Sequence, residues 1–202
     1  MLPAVISAVV FDYGGVLSQP PYDGIVRYET ELGLPTGTLR DFLREGHEVY
    51  DQFLCGQITG RDFMKAIGTH VQEAHDLRID LGELAAAMAY DVEPRMIELL
   101  RELHGKVKLG ILTNNVKEAA WRDAVPLELV DVVVDSSEVA LRKPDPRIYE
   151  HLLTEMRTAA GEIVYFDDLE ENLPPARELG IVAFRFENPD VCRAQLADVG
   201  VI

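Results

Sequence analysis

The chain has 202 residues, of which 48% are hydrophobic, and a formal net charge of −16 at pH 7. That length suits one domain, or one domain carrying an insertion, with enough apolar residues for a sizeable core. The charge argues against a nucleic-acid partner, which would require clustered Lys and Arg, and two cysteines, Cys55 and Cys192, are too few for a multi-disulfide framework or a four-thiolate metal site.

The first apolar run, Val5 to Phe11, is shorter than a membrane span and lacks the basic start and cleavage site of a secretory signal. The expectation is a cytoplasmic protein in a reducing compartment, with no membrane partner. "VISAVVFD" (5–12) predicts a strand that stops at Asp12, followed by the glycine pair Gly14 and Gly15. Residues 18–92 contain helical segments at 22–32, 38–54, 59–71 and 81–89 with no convincing strand among them. After residue 92, helices and strands alternate. "PRMIELLREL" (94–103) opens with Pro at a helix start, and the runs 107–114, 130–136, 162–168 and 181–186 are rich in β-branched residues. Their continuity predicts strands buried on both faces of a parallel sheet. Helices at 145–157 and 174–180 separate the later strands, the second ending in a Gly suited to a C-cap. The pattern predicts an α/β fold, a doubly wound parallel sheet with a small all-helical cap inserted after the first strand. Residues 1–17 and 93–202 form the expected core domain, and 18–92 the expected cap.

In a doubly wound sheet the ligand lies at the carboxyl ends of the strands. Asp12, Thr113 with Asn114, Lys143, and Asp167 with Asp168 all fall on that one edge. Clustered carboxylates repel one another without a cation, and oxygen ligands without His or Cys favour Mg²⁺ over zinc. Mg²⁺ commonly shares its site with substrate phosphate, for which Thr113 and Asn114 offer hydrogen bonds and Lys143 a positive charge. The cap's Arg27, Arg40 and Arg44 are candidates to pair with a substrate carboxylate, although helix arginines commonly form a solvated face. Trp121, His47, His70 and His75 show no partner pattern, and Tyr13 reads as a packing residue.

The ordered stretches Asp12 with "YGGVL", "ILTNN" (111–115), "RKPDPRIY" (142–149) and "YFDDLEEN" (165–172) resemble the four motifs of the haloacid dehalogenase superfamily. The resemblance covers residues 5–15 and about 95–185, and within the superfamily it is nearest to phosphatases with a small helical cap. It implies a Rossmann-like core and a Mg²⁺-dependent phosphatase of a small phosphorylated metabolite, monomeric or homodimeric. It implies that Asp12 attacks phosphorus, that Asp12, the Gly14 carbonyl and Asp168 bind Mg²⁺ with Asp167 as a direct or water-bridged ligand, and that Thr113, Asn114 and Lys143 hold the phosphoryl group. Lys143 would stabilise transition-state charge, and Asn172 would orient the cluster from behind. Phosphatases of this superfamily usually carry a second Asp two residues after the nucleophile, as acid and base, where this chain has Gly14. A positioned acid or base contributes about 10²–10⁴ in rate, so the implied turnover is slow unless another group substitutes. The alternatives are a 2-haloacid dehalogenase, which needs no metal and would gain little from the Asp167–Asp168 pair, and a non-catalytic phosphate-ester binder.

Overall fold

The computed structural model describes residues 5–20, 22–43, 47–89, 91–116 and 121–202. Five strands, β1 (Ala8–Phe11), β2 (Lys108–Thr113), β3 (Val132–Asp135), β4 (Ile163–Asp167) and β5 (Val182–Arg185), form one sheet in the order β3-β2-β1-β4-β5. Every pairing is parallel, with Val10 opposite Gly110 on one side and Tyr165 on the other. This is the doubly wound sheet that the alternation predicts.

Strand periodicity divides the core into two layers. Val9 and Phe11 point to one face with Ile111 and Phe166, and Ala8 and Val10 to the other with Leu112 and Tyr165. The first layer is closed by α6 (Pro94–Leu103) through Leu99 and Leu100 and by α11 (Pro189–Asp198) through Cys192 and Leu196. The second is closed by α9 (Pro146–Met156) through Ile148 and Leu152 and by α10 (Leu173–Glu178) through Ala176. β1, β2 and β4 are buried almost throughout, as expected, but β3 and β5 are the sheet's edges: Val132 and Val133 are half-buried and Arg185 is exposed. Helix α11, absent from the expected set, begins where the Asn188 side chain accepts from the amides of Asp190 and Val191.

Between β1 and α6 lie α1 (Asp23–Glu31), α2 (Thr38–Phe42), α3 (Glu48–Leu54), α4 (Gly60–His75) and α5 (Leu81–Ala87). The single helix expected over 38–54 is two: the Leu43 amide turns back to the carbonyls of Leu39 and Arg40, and His47 caps the start of α3 in an extended conformation. These helices bury their own apolar cluster, including Ile25, Leu39, Phe53, Phe63, Ile67 and Leu84. Buried Glu29 fastens α1 to α2 by accepting from the amides of Gly37, Leu39 and Arg40. Chain entry and exit lie side by side. Ser18 and Val92 form an antiparallel bridge, flanked by bonds from the Gln19 amide to Asp91 O and from the Glu93 amide to Leu17 O, both 2.8 Å. Among the described residues no helix is long and apolar enough to cross a membrane.

Candidate active site

Asp12 stands one residue beyond β1, its amide still donating to Phe166 O at 2.9 Å, so the end of a buried strand fixes its backbone. The chain then turns sharply through Gly15, at φ 75°, ψ 0°. That residue, and not Gly14, needs glycine's freedom: Gly14 sits at φ −67°, ψ 119°, a conformation any L-residue adopts. A Cβ on Gly15 would also lie 2.5 Å from Asp168 Oδ2, so its bare Cα makes room for that carboxylate.

Lys143 is fully buried, with Nζ 2.9 Å from Asp12 Oδ1 and 2.6 Å from Asp167 Oδ2. Asn114 holds it in place: the Lys143 amide donates to Asn114 Oδ1 at 2.8 Å, and Asn114 Nδ2 donates to Lys143 O at 2.9 Å. This reciprocal pair fastens the Lys143 backbone, while Asn114 also lines the cavity where a phosphate contact was expected of it. Thr113 is buried at the end of β2, in register with Asp135, and does not line the cavity above the site.

Asp167 is held from several sides. Its Oδ2 accepts from Lys143 and from the Tyr165 hydroxyl, and its Oδ1 from the Leu169 amide (2.9 Å) and Asn172 Nδ2 (3.0 Å). These four donors tie it to Lys143 and Asn172. Asp12 differs from it: among the described residues its side-chain contacts, from the Tyr13 amide and Lys143, fall on Oδ1.

Asp12, Asp167 and Asp168 bring carboxylate oxygens within 4.8 Å of one another. Burial pushes the Asp12 carboxyl up to about 8, with the charges of Asp167 and Asp168 adding to it against the pull of Lys143. Burial and then Asp167 push Asp168 up to about 6. Burial would lower the Lys143 ammonium, but the Asp12 and Asp167 carboxylates hold it above the usual lysine range. An additional cation would favour both strained carboxylates in their charged form. Asn172 Oδ1 is buried without a hydrogen-bond donor, an acceptor ready for a bound water. This donor set of hard oxygens fits Mg²⁺.

Above these groups lies a cavity of about 620 Å³, with Asp12, Gly14, Asn114, Lys143 and Asp168 at its base. Two contacts seat the helical segment over it. Ser136 Oγ donates to Leu54 O at 2.6 Å while accepting from the Asn115 amide at 3.1 Å, and Arg142 Nη2 lies 2.9 Å from Asp51 Oδ1. Arg27 and Arg40 are exposed and do not line the cavity; Arg44 lies outside the described residues.

Residues 6–180 match the family described as haloacid dehalogenase-like hydrolase. The chain belongs to that family. It is 29% identical over 198 residues to mouse acyl-CoA dehydrogenase family member 10, an alignment covering 94% of this chain but 18% of the mouse protein's length. It is 29% identical over 194 residues to a phosphatase of Mycobacterium tuberculosis, covering 89% of this chain and 86% of that one. Its fold is similar to a haloacid dehalogenase family enzyme of Bacteroides thetaiotaomicron solved in complex with magnesium and inorganic phosphate, with TM-score 0.72 and 20% identity over 90% of this chain and 94% of that one.

Within this haloacid dehalogenase-like hydrolase, sequence reasoning missed Tyr165, Ser136, Arg142 and Trp121. Tyr165 precedes Asp167 by two residues and so shares its face of β4, a periodicity that could have paired them. Ser136 follows the end of β3, on the edge that carries the site. Trp121 packs on Tyr13, ring centroids 5.2 Å apart, and lines the cavity.

Proposed function

We propose that the protein is a Mg²⁺-dependent phosphatase of a small phosphorylated metabolite, with Asp12 as nucleophile. The observation that carries this reading is the buried Asp12–Lys143 pair beside a second raised carboxylate, Asp168, at the base of a cavity. The mycobacterial relative's name as a phosphatase supports it. Residues 18–92 act as the cap that encloses the substrate.

Asp12 Oδ2 attacks phosphorus, the ester oxygen departs with the bonding pair, and water then cleaves the aspartyl-phosphate, so one difficult step becomes two. Asp12, Asp168 and the Gly14 carbonyl would hold Mg²⁺, which when bound supplies positive charge to the carboxylates and to the phosphoryl oxygens. Lys143, fixed by Asn114 and Asp167, stabilises charge on the phosphoryl group as it transfers. Asn172 keeps Asp167 turned toward Lys143. The departing alkoxide needs a proton that Gly14 has no side chain to give, and for this reason turnover is expected to be slow.

The test is release of inorganic phosphate from a panel of phosphate monoesters with Mg²⁺, comparing the protein with Asp12→Asn. Release that vanishes in the variant establishes the reading. Halide release from 2-haloacids in its place would make the protein a dehalogenase, and tight ester binding without release would make it a binder.

A further inference from the structure

The cavity over the Asp12–Lys143 pair is chemically divided. Among the described residues, the charged side chains lining it are Asp12, Lys143 and Asp168, all at its base. Its walls come largely from the helical segment, where Leu54, Met64 and Met88 lie beside the phenol rings of Tyr22 and Tyr50, with Trp121 outside that segment completing them. Behind this lining Phe53 and Phe63 are stacked, ring centroids 4.1 Å apart, and because Phe63 is fully buried the stack backs the wall rather than forming its surface.

At about 620 Å³ the space far exceeds a phosphoryl group and falls within the range of cavities that enclose drug-sized ligands. At the base Lys143, together with the Mg²⁺ that the carboxylates would hold, would meet an anionic end of a ligand, and the walls offer mainly hydrocarbon to the other. A hydroxyl-rich alcohol pressed against Leu54, Met64 and Met88 would leave those of its hydroxyls beyond reach of Tyr22 and Tyr50 without partners, at a loss of about tenfold in affinity for each. A hydrocarbon chain gains about fourfold for each methylene withdrawn from water.

We infer that the leaving alcohol is apolar: the substrate class is a phosphate monoester of an aliphatic alcohol long enough to reach Met64 and Met88, rather than a sugar or polyol phosphate. This rests on the phosphatase reading of Asp12. The phosphate stays with Lys143 and the carboxylate cluster while the alkyl chain lies among the walls. Specificity therefore resides in the helical segment, and Met64, half-buried on the wall, is a position that sets it.

The inference is tested on the intact chain with Mg²⁺ and two readouts. One is phosphate release from ethyl, butyl, octyl and dodecyl phosphate, kept below micelle-forming concentrations, and from glycerol phosphate and a hexose phosphate. The other is binding of the matching alkylphosphonates, which cannot be hydrolysed, followed by fluorescence of Trp121, the chain's single tryptophan. Both kcat/KM and phosphonate affinity should rise about two- to fourfold per methylene until the cavity fills. The polyol and hexose esters should fall at least about a hundredfold below octyl phosphate. Met64→Lys should flatten the dependence on chain length.

Asp12-dependent release that ignores chain length, or favours the hexose ester, overturns the substrate class and leaves the phosphatase reading standing. Length-dependent phosphonate binding with no release from any ester does the reverse. Neither binding nor release overturns both.

Discussion

Lys143 Nζ lies 2.9 Å from Asp12 Oδ1 with both side chains buried, so charge and reactivity are tied together at this pair. Removing one partner of a buried ion pair leaves the other unsolvated, at about 3–5 kcal/mol. Lys143→Met is expected to lower unfolding free energy by about that amount at neutral pH and to abolish phosphate release. Without Lys143 the Asp12 carboxyl, already up to about 8 beside it, rises further, so the loss should be larger above pH 8 than at pH 6. Denaturant unfolding at two pH values checks this, and equal losses at both would contradict it.

The raised carboxyls set a pH dependence of opposite sign to the usual one for acidic side chains. With Asp12 up to about 8 and Asp168 up to about 6 in the folded protein, the native state holds more protons than the unfolded chain from about pH 4 upward. Stability of the metal-free protein is therefore expected to fall as pH rises from 5 to 8. Lys143, held above its ordinary range, stays charged across this window and keeps its contribution. Mg²⁺ should raise the melting temperature more at pH 8 than at pH 5, because at low pH it competes with protons. Thermal scans in EDTA and in Mg²⁺ measure both effects, and a metal-free melting temperature that climbs from pH 5 to 8 would refute the account.

Gly14 offers a way to restore the missing acid. Its φ of −67° and ψ of 119° admit a side chain without backbone strain. Gly14→Asp is expected to raise kcat by tenfold or more, within the ~10²–10⁴ that a positioned acid and base contribute. Single-turnover kinetics would show the gain in the chemical step. No gain would mean that another group already transfers the proton.

Gly15 tolerates no such change. At φ 75°, with a Cβ position 2.5 Å from Asp168 Oδ2, Gly15→Ala strains the turn and displaces the carboxylate. The expected outcome is a stability loss of about 1–3 kcal/mol together with weaker Mg²⁺ binding. Calorimetric titration separates the two, and unchanged Mg²⁺ affinity would remove Asp168 from the proposed ligand set.

The sheet was legible because runs such as "VVF" and "IVYFD" have only one use, as strands covered on both faces, and the site was legible because those strands all end on one edge. The division of work at that edge was not. Asp167 and Asp168 are adjacent and identical in sequence, yet one is enclosed by four donors while the other faces the cavity. Nothing local distinguishes a carboxylate enclosed by donors from one that faces a cavity. The pairing of Asn114 with the Lys143 backbone joins residues distant in sequence and was equally hidden. The cavity walls were hidden for the same reason: Ile25, Phe53 and Met88 meet only when short helices pack together, and helical periodicity describes one helix at a time.

The Ser18–Val92 bridge joins the two ends of the helical segment to each other as well as to the core. A segment that leaves the chain where it entered can be exchanged for one of different length at the cost of a single loop closure, which grows only slowly with the number of residues enclosed. Asp12, Lys143 and Asp168 all lie outside the segment, so the exchange would have to rebuild the contacts of Leu54 with Ser136 and of Asp51 with Arg142. On the proposed reading the protein is a fixed tool with an interchangeable jaw, and grafting a foreign segment between Ser18 and Val92 is a route to redirecting it to a new alcohol.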